Sequence, residues 1–354
     1  MITKEKIRNT VVGLCSVLFC IVLFVCRDKV LNGVSRGLFI CSDVLIPSLF
    51  PFMVLSAFCV SYGFAFSGIK PFAFLCRKII KIPCECMTAV LFGFVGGYPV
   101  GASVVSSLYE RGIADGKTAK RLMSFCINAG PAFVVTATGT VILGSALAGV
   151  LLFVSVCLAS VMSGICFSFI YKGNVIQDSM TIRKSPLSDS LIGAVSDSCR
   201  NMMIMCGWVV LFCAFSDIVS DVMPEKAGSL FRIFAEVTSG VEIAAETGGL
   251  PLVAACISSG GLCVMCQILP AIKKCGIKVY EYLLFRIVNS VFSFIITKII
   301  LCFVEIPVSA ASFETGFRSK SAVSVVALLV MCAVFIADVS SQKTSDMTFA
   351  DITG

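Results

Sequence analysis

The 354-residue chain has no histidine, a single tryptophan and few charges, with aspartate, glutamate, lysine and arginine together making up 14% of it. Without histidine there is no Ser-His or Cys-His nucleophile pair and no H-E-x-x-H zinc helix. An enzyme built on this chain would lack the commonest general base, and none is expected. A soluble domain carries about 25% charged residues, so the deficit points away from water. The formal net charge of +7 is spread through connecting segments, where Lys and Arg set the orientation of membrane proteins. No basic stretch is interleaved with exposed aromatics, so no nucleic-acid surface is expected. A small-x-small cleavage site is also missing after the first apolar run, residues 11–26, because Arg27 and Asp28 follow directly. That run reads as a retained first span with a cytoplasmic N-terminus, not as a removed signal peptide.

Apolar residues fill the space that charge leaves. They form 58% of the chain, the mean hydropathy is +0.99, and they come in long blocks. Blocks of about 18 or more apolar residues cross a bilayer whose hydrocarbon core is about 30 Å thick. Most of the twenty cysteines lie inside such blocks, among them Cys15, Cys20, Cys157, Cys166, Cys206, Cys213 and Cys302. There they read as small hydrophobes. Cys84 and Cys86 form a C-x-C with no second pair to complete a tetrahedral zinc site. Neither a metal nor a cofactor is expected.

The order of the blocks suggests a repeat. Residues 34–43, with Arg36 and Asp43, suit an amphipathic interfacial helix. A span at 44–64 contains Pro47 and Pro51, and a basic loop with Lys70, Arg77, Lys78 and Lys81 follows. The apolar stretch 88–109 is broken by Gly96-Gly97-Tyr98-Pro99-Val100-Gly101. Each half is too short to cross, which predicts a re-entrant hairpin. A second interrupted stretch, 122–143, breaks at Asn128-Ala129-Gly130-Pro131, and 146–171 is a long span. After a polar linker the plan recurs. An amphipathic lead-in at 188–200 precedes a span at 201–218. A stretch at 229–246 breaks around Thr238-Ser239-Gly240, one at 250–272 breaks at Ser258-Ser259-Gly260-Gly261, and 280–304 is long. A last apolar run, 322–337, has no counterpart.

The expected fold is therefore an all-α, polytopic integral membrane protein with two internal repeats, each holding a re-entrant hairpin and a broken transmembrane helix. The expected divisions are an anchor at 1–33, a first repeat at 34–171, a linker at 172–187, a second repeat at 188–305, and a final helix with polar tail at 306–354. Residues support the repeat in places. The run from Cys126 to Val134 aligns with that from Cys256 to Val264, Ser42-Asp43 aligns with Ser196-Asp197, and Gly101 stands opposite Gly240.

Interrupted helices at matching places in two halves point to a transport site. The freed backbone groups need partners at membrane depth, and half-helix N-termini attract anions. The candidate substrate-binding residues are Gly97, Tyr98, Pro99, Gly101, Asn128, Gly130 and Pro131 in the first half. In the second they are Ser239, Gly240, Glu242, Ser258, Ser259 and Gly260. Glu236, Glu246 and Arg200 are further charges at membrane depth, with snorkelling to the interface as their plain alternative. Small residues likewise serve helix packing, and Trp208 reads as packing.

The runs Gly93-Phe94-Val95-Gly96-Gly97-Tyr98-Pro99-Val100-Gly101-Ala102, Leu108-Tyr109-Glu110-Arg111-Gly112 and Phe125-Cys126-Ile127-Asn128-Ala129-Gly130-Pro131-Ala132-Phe133 resemble the nucleoside-recognition (Gate) domain membrane proteins. Among these the chain is most similar to the YlbJ-type sporulation integral membrane proteins. The resemblance covers about 34–304 by order of elements and is dense only in these runs. It implies a fold related to concentrative nucleoside transporters, with the two repeats inverted, and a role in endospore formation. It also implies a small-molecule solute, with dipicolinate first and a nucleoside as the variant, held by Gly97, Tyr98, Pro99, Gly101, Asn128, Gly130 and Pro131. The bilayer is the other expected partner. A coupling ion and a homo-oligomer stay open, as does the choice between the bacterial cell membrane at large and the forespore membrane. A membrane scaffold without solute flux is the rival reading.

Overall fold

The computed structural model describes residues 4–62, 78, 80, 82–171 and 186–304, and every regular element among them is helical. Helix α1 (Lys4–Val25) turns through 89° into α2 (Arg27–Ile40). A π-helical turn (Cys41–Leu45) carries α2 without a break into α3 (Ile46–Tyr62). Next come α4 (Met87–Val95), α5 (Tyr98–Glu110) and α6 (Gly116–Phe125), then a π-helical segment (Ala132–Ile142) and α7 (Ala146–Ile170). The remaining helices are α8 (Leu187–Val222), α9 (Glu225–Ala235), α10 (Val237–Ser259), α11 (Gly261–Lys274) and α12 (Val279–Leu301). The expected final helix at 322–337, most of the 63–81 loop and most of the 172–187 linker lie outside the described residues.

The helices are amphipathic in the opposite sense to those of a soluble protein. On α12 the exposed stripe is Leu283, Leu284, Ile287, Val291, Ile295 and Ile299, while Arg286, Asn289, Ser293 and Thr297 are buried. On α7 Leu147, Val150, Val154, Leu158 and Met162 face outward, and Ser155, Ser160 and Ser163 face inward. A helix in water hides its apolar face. In lipid an outward apolar face is satisfied, and polar side chains turn inward to find partners. Four helical stretches are long and apolar enough to cross a bilayer: Ala146–Ile170, Leu187–Val219, Val237–Lys274 and Val279–Leu301. The bent pair Asn9–Val25 and Arg27–Asp43 makes a fifth if counted as one span. The chain is a multi-pass integral membrane protein.

Two sequence expectations change here. The 34–43 stretch is no separate interfacial helix but belongs to α2 and its π turn, docked along α8. A Cβ at Gly33 would lie 2.5 Å from the Ala214 backbone and one at Gly37 2.7 Å from that of Val210, so the two helices meet backbone to backbone. Arg36 then reaches Asp217 at 2.8 Å, which gives its charge a partner inside the protein. Likewise, the 188–200 lead-in and the 201–218 span form the single helix α8. Of its polar residues, Ser198 is buried and Asp197, Arg200 and Asn201 are exposed, and all four line one open cavity.

Candidate functional site

The first hairpin turns at Gly96 and Gly97, where Gly97 has φ +87°, a left-handed conformation that side-chain-bearing residues rarely adopt. Pro99 follows in the first turn of α5, where its missing N–H costs nothing. Gly93, Gly97 and Gly101, four residues apart, let the non-helical link at 126–130 lie directly across the hairpin. A Cβ at either Gly93 or Gly101 would collide with the Cys126 carbonyl oxygen, and one at Gly130 would stand 3.0 Å from the Val95 carbonyl.

In the second half the hairpin turns at Glu236, two residues before the expected Thr238-Ser239-Gly240, all of which are helical. Glu236 is buried, and its carboxylate accepts the Thr238 N–H at 2.9 Å and the Ser239 N–H at 2.8 Å. A carboxylate on these orphan amides starts a helix as well as a hydroxyl does, which is why the turn falls there. Helix α10 is kinked at Gly249 (φ +65°), and the α10–α11 break falls at Gly260 and Gly261, both left-handed, within the expected Ser258–Gly261 interruption. Gly240 packs on Cys256, with its Cβ position 2.8 Å from the sulfur. Gly101, by contrast, faces the main-chain carbonyl of Cys126.

Both breaks expose carbonyls, and a single side chain takes one from each. The buried Arg286 guanidinium donates to the Ile127 carbonyl and to the Ser258 carbonyl. It also lies 5.7 Å from the Tyr98 ring centre and 5.9 Å from that of Tyr282. The Tyr98 hydroxyl crosses from the first hairpin to donate to the Ile257 carbonyl. Behind this brace, Asn128 donates to the Phe125 carbonyl at 2.6 Å and its amide oxygen accepts from Ser160. Asn289 donates to Ser160 at 3.1 Å. Ser258 is hydrogen-bonded to Ser293, and Ser259 donates to the Cys256 carbonyl at 2.7 Å. Arg286 makes no ion pair with a carboxylate among the described residues, so carbonyl dipoles and ring faces hold this buried cation in place.

Two cavities meet at the first hairpin tip. A narrow cleft of about 60 Å³ is lined by Gly97, Tyr98, Pro99, Ala129 and Gly130 from the first half, and by Glu236, Thr238, Cys263 and Gln267 from the second. A wider polar cavity of about 460 Å³ lies between α3, α5, α8 and α11. Pro99, Met205 and Gln267 line both and form the partition between them. Small-molecule sites run from about 300 to 1,000 Å³. The wide cavity is thus metabolite-sized, and the cleft as it stands admits only water.

Of the residues picked from the sequence, Gly97, Tyr98, Pro99 and Gly130 line the cleft. Gly101, Asn128, Ser258, Ser259 and Gly260 build the backbone crossing behind it, and Pro131 opens the π-helical segment. Ser239 and Gly240 are helical residues of α10 that the cleft does not touch. Glu242, half-buried on the same helix, lies within electrostatic reach of Arg36 and Arg232. Arg286, Asn289 and Ser160 escaped sequence reading. The available signal was a charge inside the 280–304 span followed by Asn289, Ser293 and Thr297 at helical spacing.

Comparison with known proteins places this geometry beside a sporulation protein. The chain is 23% identical to the sporulation integral membrane protein YlbJ of Bacillus subtilis (strain 168), over 73% of this chain and 74% of that protein. No family model matches the sequence, and no solved structure matches the fold. The chain is a multi-pass membrane protein with a distant relative in sporulation.

Proposed function

We propose that the protein is a secondary transporter or facilitator acting in sporulation, moving a small polar, anionic solute across a bacterial membrane. In this reading it has two inverted Gate-like repeats related to concentrative nucleoside transporters. Its site is the bacterial cell membrane at large or the forespore membrane, and dipicolinate is its first candidate solute. The observation that carries the reading is a metabolite-sized polar cavity ending at a closed cleft built from helix interruptions in both halves. The order of elements supports the repeat. In both halves of the chain a pair of short helices forms a hairpin, an interrupted stretch follows, and a long helix closes the series. The sporulation relative supports the setting.

Mechanistically, the solute fills the wide cavity and waits at the partition of Pro99, Met205 and Gln267. Rocking of one repeat against the other opens the cleft on the far side. Arg286 and Tyr98 bridge the two breaks, so the rocking motion must slide or break their bonds to the Ile127, Ser258 and Ile257 carbonyls.

The test is uptake of radiolabelled dipicolinate into liposomes holding the purified chain, with uridine as competitor. The expected result is saturable dipicolinate uptake that Tyr98→Phe slows. Uridine uptake in its place keeps the pathway and changes the solute. Absence of flux for both compounds would sink the transport reading in favour of a membrane scaffold.

A further inference from the structure

The wide cavity contains polar groups that neither the fold nor the cleft uses. Ser106 on α5 and Ser198 on α8 line it, at 5% and 1% exposure. Neither hydroxyl has a hydrogen-bond partner among the described residues. A buried hydroxyl without a partner is disfavoured, so two on the walls of one cavity mark where an occupant would supply the missing bonds.

The charges lining the same cavity do not cancel. Lys274 is paired with Glu110 at 2.9 Å. Arg111 is turned toward Ser61, its guanidinium 3.2 Å from that hydroxyl. Asp197 has partners of its own. Arg200 remains, a lining cation with neither a hydrogen bond nor an ion pair among the described residues. Counting Arg111 and Arg200 against Asp197, the lining outside the Lys274–Glu110 pair carries one net positive charge.

We propose that this cavity is an oxyanion-docking site in which Arg200 pairs with a carboxylate group of the solute while Ser106 and Ser198 donate hydrogen bonds to it. The proposal rests on the transport reading and deepens it. The anion is selected here, before it reaches the cleft. Serine hydroxyls and one guanidinium recognise the oxygens of a carboxylate or phosphate without any need for histidine. A phospholipid headgroup presents the same chemistry, so the test has to tell a lipid from a soluble solute.

The experiment is calorimetric titration of the full chain, purified in detergent, with dipicolinate, inorganic phosphate and uridine at low ionic strength, alongside liposome flux. Arg200→Gln is expected to weaken dipicolinate binding about ten-fold, the effect of losing one charge-assisted hydrogen bond. Arg200→Lys should recover most of the affinity, and Ser198→Ala should weaken binding without lowering thermal stability. Uridine binding should not respond to Arg200→Gln. Wild-type affinity in Arg200→Gln, or wild-type protein that binds neither anion, overturns the site. Flux that persists with unchanged KM in Arg200→Gln overturns it too, while leaving the transport reading intact. Arg200-dependent anion binding without flux keeps the site and removes the transport reading. If native mass spectrometry finds phosphatidylglycerol on the wild type but not on Arg200→Gln, and added dipicolinate does not displace it, the cavity holds a headgroup and the solute assignment falls.

Discussion

Substituting Gly101 by alanine tests whether the hairpin and the first break touch backbone to backbone. Gly101 lies inside α5, so helix propensity alone favours alanine by about 1 kcal/mol. Against this, the new Cβ meets the Cys126 carbonyl oxygen, with the Cys126 carbonyl carbon 3.2 Å and the Gly93 Cα 3.1 Å away. These obstacles are main chain, and no flexible side-chain end can swing aside. Overpacking of this kind destabilises by about 1–3 kcal/mol. With obstacles on two sides the upper end applies, and the net loss is about 2 kcal/mol. Gly207→Ala on α8 is the matched control, because its Cβ position has nothing within 4 Å. That variant is expected to be neutral or stabilised by up to about 1 kcal/mol. Gly93→Ala strikes the same carbonyl, so the Gly93→Ala/Gly101→Ala double variant should lose less than the sum of the singles, by at least about 0.5 kcal/mol. The assay is reversible denaturant unfolding in mixed micelles, with fluorescence-detected thermal unfolding as the check. A Gly101→Ala protein as stable as wild type, or a Gly207→Ala protein that loses as much as Gly101→Ala, refutes the contact.

Two further perturbations probe the centre and the surface. Arg286→Lys keeps the charge but loses the planar fork that spans the Ile127 and Ser258 carbonyls. It should lower unfolding free energy by about 1.5–3 kcal/mol, one hydrogen bond to a charged group, and an unchanged denaturation midpoint would refute the bridge. For the surface, single-cysteine variants retaining only Cys15, Cys20 or Cys166 expose their thiols on outward apolar faces. In membranes these should resist a charged, water-soluble maleimide and react with a lipid-soluble one, since a charged reagent stays out of hydrocarbon. Cys302, exposed just past the end of α12, should react with both. Rapid aqueous labelling of Cys166 would contradict the lipid-facing assignment of α7.

Some of this architecture is legible along the chain because its causes are local. Span length follows from bilayer thickness, and 146–171 and 280–304 differ from α7 and α12 by at most three residues at either end. The breaks at Gly97 and Gly260-Gly261 come from left-handed glycines that no neighbouring element has to impose. The second hairpin is harder to read. Thr238, Ser239 and Gly240 have the composition of a turn, yet the helix begins before them because the Glu236 carboxylate satisfies its first free amides.

The sequence by itself determined that the chain lives in lipid, that long helices cross it, and that glycine and proline interrupt the shorter ones. Tertiary structure decided which face of each helix turned inward. Arg286, Asn289 and Ser160 became central only once α7 and α12 packed against the breaks, because hydropathy averages over all faces of a helix. The same holds for Ser106, which lies far in sequence from Ser198 and Arg200 and shares a cavity with them only because α5 and α8 form two of its walls. A broken helix reveals from its own residues that backbone groups have been freed. Which side chain satisfies them depends on packing between distant segments, and that information exists only in three dimensions.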